Sequence, residues 1–315
     1  MSAIRPSSFG EFNGQEDAKK YLKVAVRAAN RRETVFGHTL LVGPAGLGKT
    51  TLAMSVLPSE LDVPCEALNC SSVDGRAEMV QPLIAAEPRS ILFLDEVHML
   101  PSVAREQLLT AMEDSVIEVE GDTGVSRFDL EEICIVAATT RQGSLDQALF
   151  TRFRHVVQLE PYNDDEMRHV FHWTAQKREV DIDEDAYAVL IPPAHGVARK
   201  AVNFIESCLD TLYGREEEDE FCDIITKEIA ELTLDRLGYT GPFSKPEVRY
   251  LQALAGAGGK PVGLSALSHI LDEHETTVSE HIEPWLIRNE IVSRQSNGRT
   301  PGRRFEEYDS FFGEA

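Results

Sequence analysis

The stretch "GPAGLGKT", residues 43–50, meets the pattern G-x-x-x-x-G-K-[ST] at every fixed position. Gly43, Gly46 and Gly48 let the backbone curl so that its N–H groups face inward, a cradle for phosphate oxygens. Lys49 can reach β- and γ-phosphates, and the Thr50 hydroxyl can ligate Mg2+. Pro44, Leu47 and Thr51 complete this nucleotide-binding stretch. A second run, "ILFLDEVH" at 91–98, reads as a buried strand ending in two carboxylates. Asp95 can hold Mg2+ through water, and Glu96 can orient and activate an attacking water. Together the two runs imply nucleoside-triphosphate hydrolysis.

Three further residues stand where they could serve that chemistry. Thr140, in "AATTRQG", follows a third apolar run and can hydrogen-bond the γ-phosphate or the water. Arg152, in "LDQALFTRFRH", precedes a fifth run. In a lone chain it would be a solvated loop residue; in a ring it could reach a neighbour's γ-phosphate, a contribution of about 10³–10⁵ in turnover where measured. Arg199, in "HGVARKAVNF", opens a helical pattern from which it could touch the same phosphates and report nucleotide state.

Elements of the right kind surround these residues. The apolar runs "TLLVG", "CEALNC", "ILFLDE", "CIVAATT" and "HVVQLE" alternate with helical patterns, which predicts a parallel sheet of the α/β class over residues 1–160. Residues 161–240 read as a small helical domain, opened by an N-cap at Asn163 or Asp164. Residues 241–315 give a helix, a turn, two short helices and a ribbon with Asn297-Gly298 at its tip, the outline of a winged helix.

Composition bounds the rest. The 315 residues, 42% hydrophobic and 27% charged, suit a soluble protein of two or three domains. No apolar run approaches the roughly 20 residues of a membrane span, and the N-terminus lacks a secretory pattern, so a cytoplasmic location is expected. Cys65, Cys70, Cys134, Cys208 and Cys222 form no CxxC pair, which favours reduced thiols over a metal site. The acidic block at 215–221 reads as a solvated loop or helix start. A formal net charge of -22 excludes a protein that coats nucleic acid with its whole surface. Yet "WLIRNEIVSRQSNGRTPGRRF", 285–305, carries five arginines against one carboxylate. Any nucleic-acid contact is therefore expected there.

The order of these parts resembles the AAA+ ATPases, and within them the RuvB family of Holliday-junction branch-migration motors. The resemblance runs from "RPSSFGEFNGQ" through "GPAGLGKTTLA", "LFLDEVHML" and "AATTRQGSL" to "GGKPVGLSALSHILDEHETTVSEHIEPWLIRNEIVSR". It implies ATP as the nucleotide, a helical lid, a winged helix, and a ring, a hexamer in this family, around duplex or four-way junction DNA. By the same match Ile4, Arg5, Pro6 and Phe12 line the adenine and ribose pocket. Thr140 becomes sensor 1, Arg152 the trans-acting finger and Arg199 sensor 2. Arg294, Arg299, Arg303 and Arg304 carry the wing to the DNA backbone. Two departures are visible. "FTRFR" puts Phe150 and Arg154 where the family usually writes arginine and glycine. The segment "SVIEVEGDTGVSRFDLEE", 115–132, corresponds to the hairpin that docks a RuvA-type partner; here it is several residues shorter, acidic at Glu118 and Glu120, and shows no apolar tip. A clamp-loader-like or protein-remodelling ATPase, or a nucleotide-gated DNA-binding adaptor, are the competing readings.

Overall fold

The structure is a computed structural model that describes residues 5–121, 124–214 and 223–312. Its contacts gather into two compact units, Met1–Val170 with Val197–Arg199, and Phe171–Gly196 with Lys200–Ala315.

In the first unit α1 (Glu16–Arg32) precedes β1 (Thr39–Val42). The glycine loop then enters one continuous helix in three parts: α2 (Lys49–Thr51), a π-helical segment (Leu52–Val56) and α3 (Leu57–Leu61). There follow β2 (Cys65–Asn69), α4 (Arg76–Ala85), β3 (Ile91–Asp95), α5 (Ser102–Asp114), β4 (Val116–Gly121), β5 (Gly124–Asp129), β6 (Cys134–Thr139), α6 (Gln147–Phe150) and β7 (His155–Gln158). Each of the five apolar runs forms a strand of one parallel sheet, in the order β2-β3-β6-β1-β7. Strands β1 and β6 are buried on both faces, as is β3 up to its last residue, because crossover helices cover the sheet; this is why they read as unbroken hydrophobic runs. On one face Leu40, Val42, Leu92, Leu94, Ile135 and Ala137 pack with residues of α4 and α5 such as Met79, Leu83, Ala104 and Leu108. The strand order decides the site. Since β6 lies between β3 and β1, the residues after all three strands emerge side by side at one sheet edge.

The expected hairpin forms from β4 and β5, with Val116 opposite Asp129 and Glu118 opposite Arg127. Glu118 is exposed; the side chain of Glu120 lies outside the described residues, as do Ile4, Cys222 and the acidic block 215–221.

Helix α7 (Asp164–Lys177) leads out of the first unit. Asn163 is its cap: Asn163 Oδ1 accepts from Glu166 N at 2.9 Å, and Glu166 Oε2 accepts from Asn163 N at 3.0 Å. The second unit continues with β8 (Asp181–Ile182), α8 (Glu184–Ala194), α9 (Ala198–Tyr213), β9 (Ile224–Ile225) and α10 (Lys227–Arg236). A small ribbon, β10 (Tyr239–Thr240) and β11 (Phe243–Ser244), then leads to α11 (Lys245–Gly256), α12 (Leu264–Leu271), α13 (Glu275–Thr277), a π-helical segment (Val278–Ile282), α14 (Glu283–Arg288), and the wing strands β12 (Val292–Gln295) and β13 (Gly298–Pro301). Tyr250, Leu254, Leu267, Val278, Leu286 and Val292 form the core of this winged helix.

The wing turns one residue earlier than its Asn-Gly pair suggested. Gln295 pairs with Gly298, so Ser296 and Asn297 make the turn and Gly298 opens β13. Gly298 serves a different need. Its φ is +149°, and a Cβ there would lie 2.7 Å from the Val262 carbonyl oxygen, which accepts from Arg299 N as Val262 bridges to the wing.

Candidate functional site

The phosphate loop connects the end of β1 to α2, and its glycines are required by what crowds them. Gly48 has φ +101°, and a Cβ on it would stand 2.7 Å from the Phe12 ring. Gly46 has φ +80°, and its Cβ would meet Val197 Cγ1 at 2.7 Å. Lys49 is buried, and Nζ donates to the carbonyls of Gly43 at 2.7 Å and Pro44 at 2.8 Å. The Pro44 and Leu47 backbones belong to the same curl, and Tyr162 Oη donates to Leu47 O at 3.0 Å. Thr50 and Thr51, in the first helical turn, are half-buried.

Strand β3 ends at Asp95, and Glu96 follows in a left-handed conformation, φ +52°, that breaks the strand and turns the chain into the short helix Val97–Met99. Asp95 Oδ1 accepts from Glu96 N at 3.1 Å. Thr140, just past β6, donates to Glu96 Oε2 from Oγ1 at 3.2 Å and from its backbone N at 3.3 Å. The ends of β3 and β6 thus meet through Glu96 and Thr140. Arg199 joins them: its N–H donates to Gly46 O at 3.1 Å.

The electrostatics of these residues follow from their grouping. Burial holds the Lys49 ammonium below its ordinary pKa; Glu96 and Asp95 oppose that shift, and Arg199 adds to it. Burial, then the neighbouring Glu96, raises the Asp95 carboxyl above the usual carboxylate range, partly offset by Lys49 and Arg199. Two cations and two carboxylates therefore face one another where phosphates would enter.

Other expected residues lie around this centre or apart from it. Phe12 is buried against Gly48. Arg5 is exposed, with Nη1 3.7 Å from Met54 Sδ, and the Pro6 carbonyl accepts from Ser55 Oγ at 2.7 Å, so both lie over the helix that follows the loop. Arg152 is not among the charges acting on Lys49 or Asp95. Instead Nη2 pairs with Glu113 Oε2 at 2.5 Å, at the end of α5.

The basic tail differs most from expectation. Arg299 is 7% exposed, and its guanidinium binds Glu283, itself 1% exposed, through Nε at 2.7 Å and Nη2 at 3.1 Å. It is part of the winged-helix interior, so the expected surface role is corrected by its burial. Arg304 pairs with Glu307 Oε2 at 2.8 Å and with Tyr308 Oη at 3.0 Å. Arg303 is exposed, 3.9 Å from Glu290, and Arg294 is exposed on β12. Carboxylates from outside the basic run, Glu283 and Glu307, thus offset two of its arginines.

Sequence reasoning missed Tyr162, Val197 and His98, all of which touch site residues. Tyr162 and Val197 carry no motif. His98 was visible within "LDEVH", three residues beyond Asp95, but only the fold shows what its ring meets.

Comparison with known proteins follows the same lines. Residues 4–159 match the family model described as the Holliday junction DNA helicase RuvB P-loop domain, and residues 241–304 match the RuvB C-terminal winged helix domain. A relative from Synechococcus sp. (strain CC9902), a Holliday junction branch migration complex subunit RuvB, is 34% identical over 94% of this chain and 86% of its own length. Its namesake from Wolbachia pipientis wMel is 32% identical over 98% of this chain and 94% of its own. Among solved structures, the Thermotoga maritima RuvB Holliday junction branch migration motor superposes with a TM-score of 0.83 at 30% identity, covering 98% of each chain. A point mutant of that protein gives 0.85 over 98% of this chain and 99% of its own.

Proposed function

The chain belongs to the RuvB family, and from that premise we infer that it is an ATP-hydrolysing motor that drives Holliday junction branch migration. The observation that carries this reading is the meeting of Lys49, Asp95, Glu96, Thr140 and Arg199 at one edge of the sheet. In it the loop N–H groups and Lys49 hold the triphosphate. Thr50 and Asp95 fit Mg2+: both offer hard oxygen donors, and a cation would offset the burial and the neighbouring Glu96 charge that raise Asp95. When bound, the ion would offset negative charge on the phosphate oxygens. Glu96 orients the attacking water and takes its proton. Thr140 holds Glu96, and Arg199 contacts the phosphates. Arg5, Pro6 and Phe12, with Ile4, form the adenine and ribose side of the site.

Arg152 acts in trans within a ring, where a neighbour's γ-phosphate replaces Glu113 as its partner. Residues 161–240 work as the lid and residues 241–315 as the DNA-binding part. Arg294 and Arg303 meet the DNA backbone, and Arg304 joins them if phosphate displaces Glu307. A RuvA-type partner docks on the hairpin β4–β5, whose exposed apolar residue Phe128 lies opposite Ile117 toward its base and not at its tip. No helix among the described residues is long and apolar enough to cross a membrane.

The test is steady-state ATPase activity with no DNA, linear duplex and a four-way junction, alongside Glu96→Gln. Turnover that rises with junction DNA and vanishes in the variant is expected. Turnover indifferent to DNA at low salt would remove the motor reading.

A further inference from the structure

Glu96 is held by more than Thr140. The His98 side chain is 8% exposed, and its Nδ1 stands 3.3 Å from Glu96 Oε2 and 3.0 Å from Thr139 Oγ1. Thr139 is fully buried at the end of β6, and its Oγ1 also accepts from Arg141 N at 3.0 Å. An unprotonated Nδ1 would set its lone pair against a carboxylate oxygen, a repulsive contact. With the proton on Nδ1, the N–H donates to Thr139 Oγ1 and turns the positive edge of the ring, not a lone pair, toward Glu96 Oε2. Oε2 then faces the His98 ring N–H and accepts both Thr140 donors, while among the described residues no hydrogen bond engages Oε1.

We propose that His98 is a positioning residue for the hydrolytic water: its Nδ1–H, braced on the Thr139 hydroxyl, fixes Oε2 of Glu96 so that Oε1 is presented as the base. This rests on the hydrolytic role inferred above for Glu96. His98 does not itself touch nucleotide or water. It is borne on the short helix Val97–Met99, and its contact with Thr139 ties the turn after β3 to the end of β6. Glu96 stands in a left-handed turn, and its carboxylate accepts hydrogen bonds from Thr140. Without the ring, Glu96 would keep only the two long Thr140 contacts and sample other rotamers. The chemical step would slow, while phosphate binding by the loop and Lys49 would be unaffected.

The test compares His98→Ala, His98→Asn and His98→Gln in the full chain. The Asn amide nitrogen falls near the place of Nδ1, whereas that of Gln falls near Nε2. His98→Ala is expected to lower kcat about ten- to hundredfold with the KM for ATP and the affinity for ADP nearly unchanged. His98→Asn should restore most of kcat and His98→Gln should not. Unchanged kcat in His98→Ala would overturn the role. So would equal losses in all three variants accompanied by weakened ADP binding and a lowered melting temperature, the pattern of a merely structural histidine. Wild type and Glu96→Gln run in parallel: wild-type hydrolysis that does not depend on Glu96 would remove the hydrolytic reading and this one with it. Glu96-dependent hydrolysis that His98→Ala leaves intact removes the positioning role alone.

Discussion

Arg299→Ala separates a structural arginine from a DNA ligand. The Glu283 carboxylate is 1% exposed and receives two guanidinium hydrogen bonds, with Tyr250 Oη a third donor at 3.1 Å. Arg299 is held above its ordinary pKa first by this hydrogen bonding to Glu283. Removing the cation leaves a buried charge with one neutral donor, a loss of about 3–5 kcal/mol. For a cooperative unit of this size that corresponds to a fall of roughly 6–20 °C in the melting temperature of the second unit. Arg294→Ala and Arg303→Ala, at exposed positions, should change stability by less than about 0.5 kcal/mol. Each should instead lower the magnitude of the slope of log K against log salt for DNA binding by about one. Scanning calorimetry and DNA titrations at several salt concentrations read both effects. The double change Glu283→Leu with Arg299→Met, which removes the pair together, should recover most of the lost stability. An Arg299→Ala protein that melts like wild type and loses salt dependence would refute this account and return Arg299 to the DNA surface.

Gly48→Ala would force a Cβ within 2.7 Å of the Phe12 ring at a φ of +101°, so nucleotide affinity should fall steeply; unchanged ATP binding by calorimetry would contradict the close fit. His195 accepts from Lys200 Nζ at 3.2 Å, donates from Nε2 to Pro242 O at 2.9 Å and stacks on Trp285 at 3.8 Å. Burial, then Lys200, pushes it down to about 2. The unfolded chain takes up a proton below about pH 6.5 that the folded chain does not, so stability is full above that pH and falls by about 1.4 kcal/mol per unit below it. Glu247, 3.5 Å from the ring and raised by its own burial, acts oppositely above the ordinary carboxylate pKa, so the histidine is read from the difference between wild type and His195→Gln, whose unfolding free energy should fall less steeply as pH drops below about 6.5. Arg152→Ala and Lys49→Ala chains, each inactive alone, should regain ATPase activity when mixed if Arg152 works in trans. Mixtures that stay inactive would count against the finger.

The sheet was legible because its buried strands have to be continuous apolar runs, and the phosphate loop because only glycine tolerates its backbone. Asp95, Glu96 and Thr140 could be read as strand-end residues. That they converge was not readable locally, since β6 enters between β3 and β1 only through the crossovers of the fold. Asn297-Gly298 marked the wing, yet the use of Gly298 depends on Val262, far away in the chain. The basic run was plain as composition, but whether an arginine faces phosphate or a carboxylate depends on distant residues. Glu283 lies outside that run, and packing brings it to Arg299. His98 shows the same division: its identity was in the motif, and its role depends on Thr139, a neighbour supplied by another strand. The sequence by itself determined the chemistry available and the elements that carry it, because those follow from residue type and short-range periodicity. Only the tertiary structure decided which charges are paired and which remain free, because a charge is neutralised by whatever the fold places within a few ångströms.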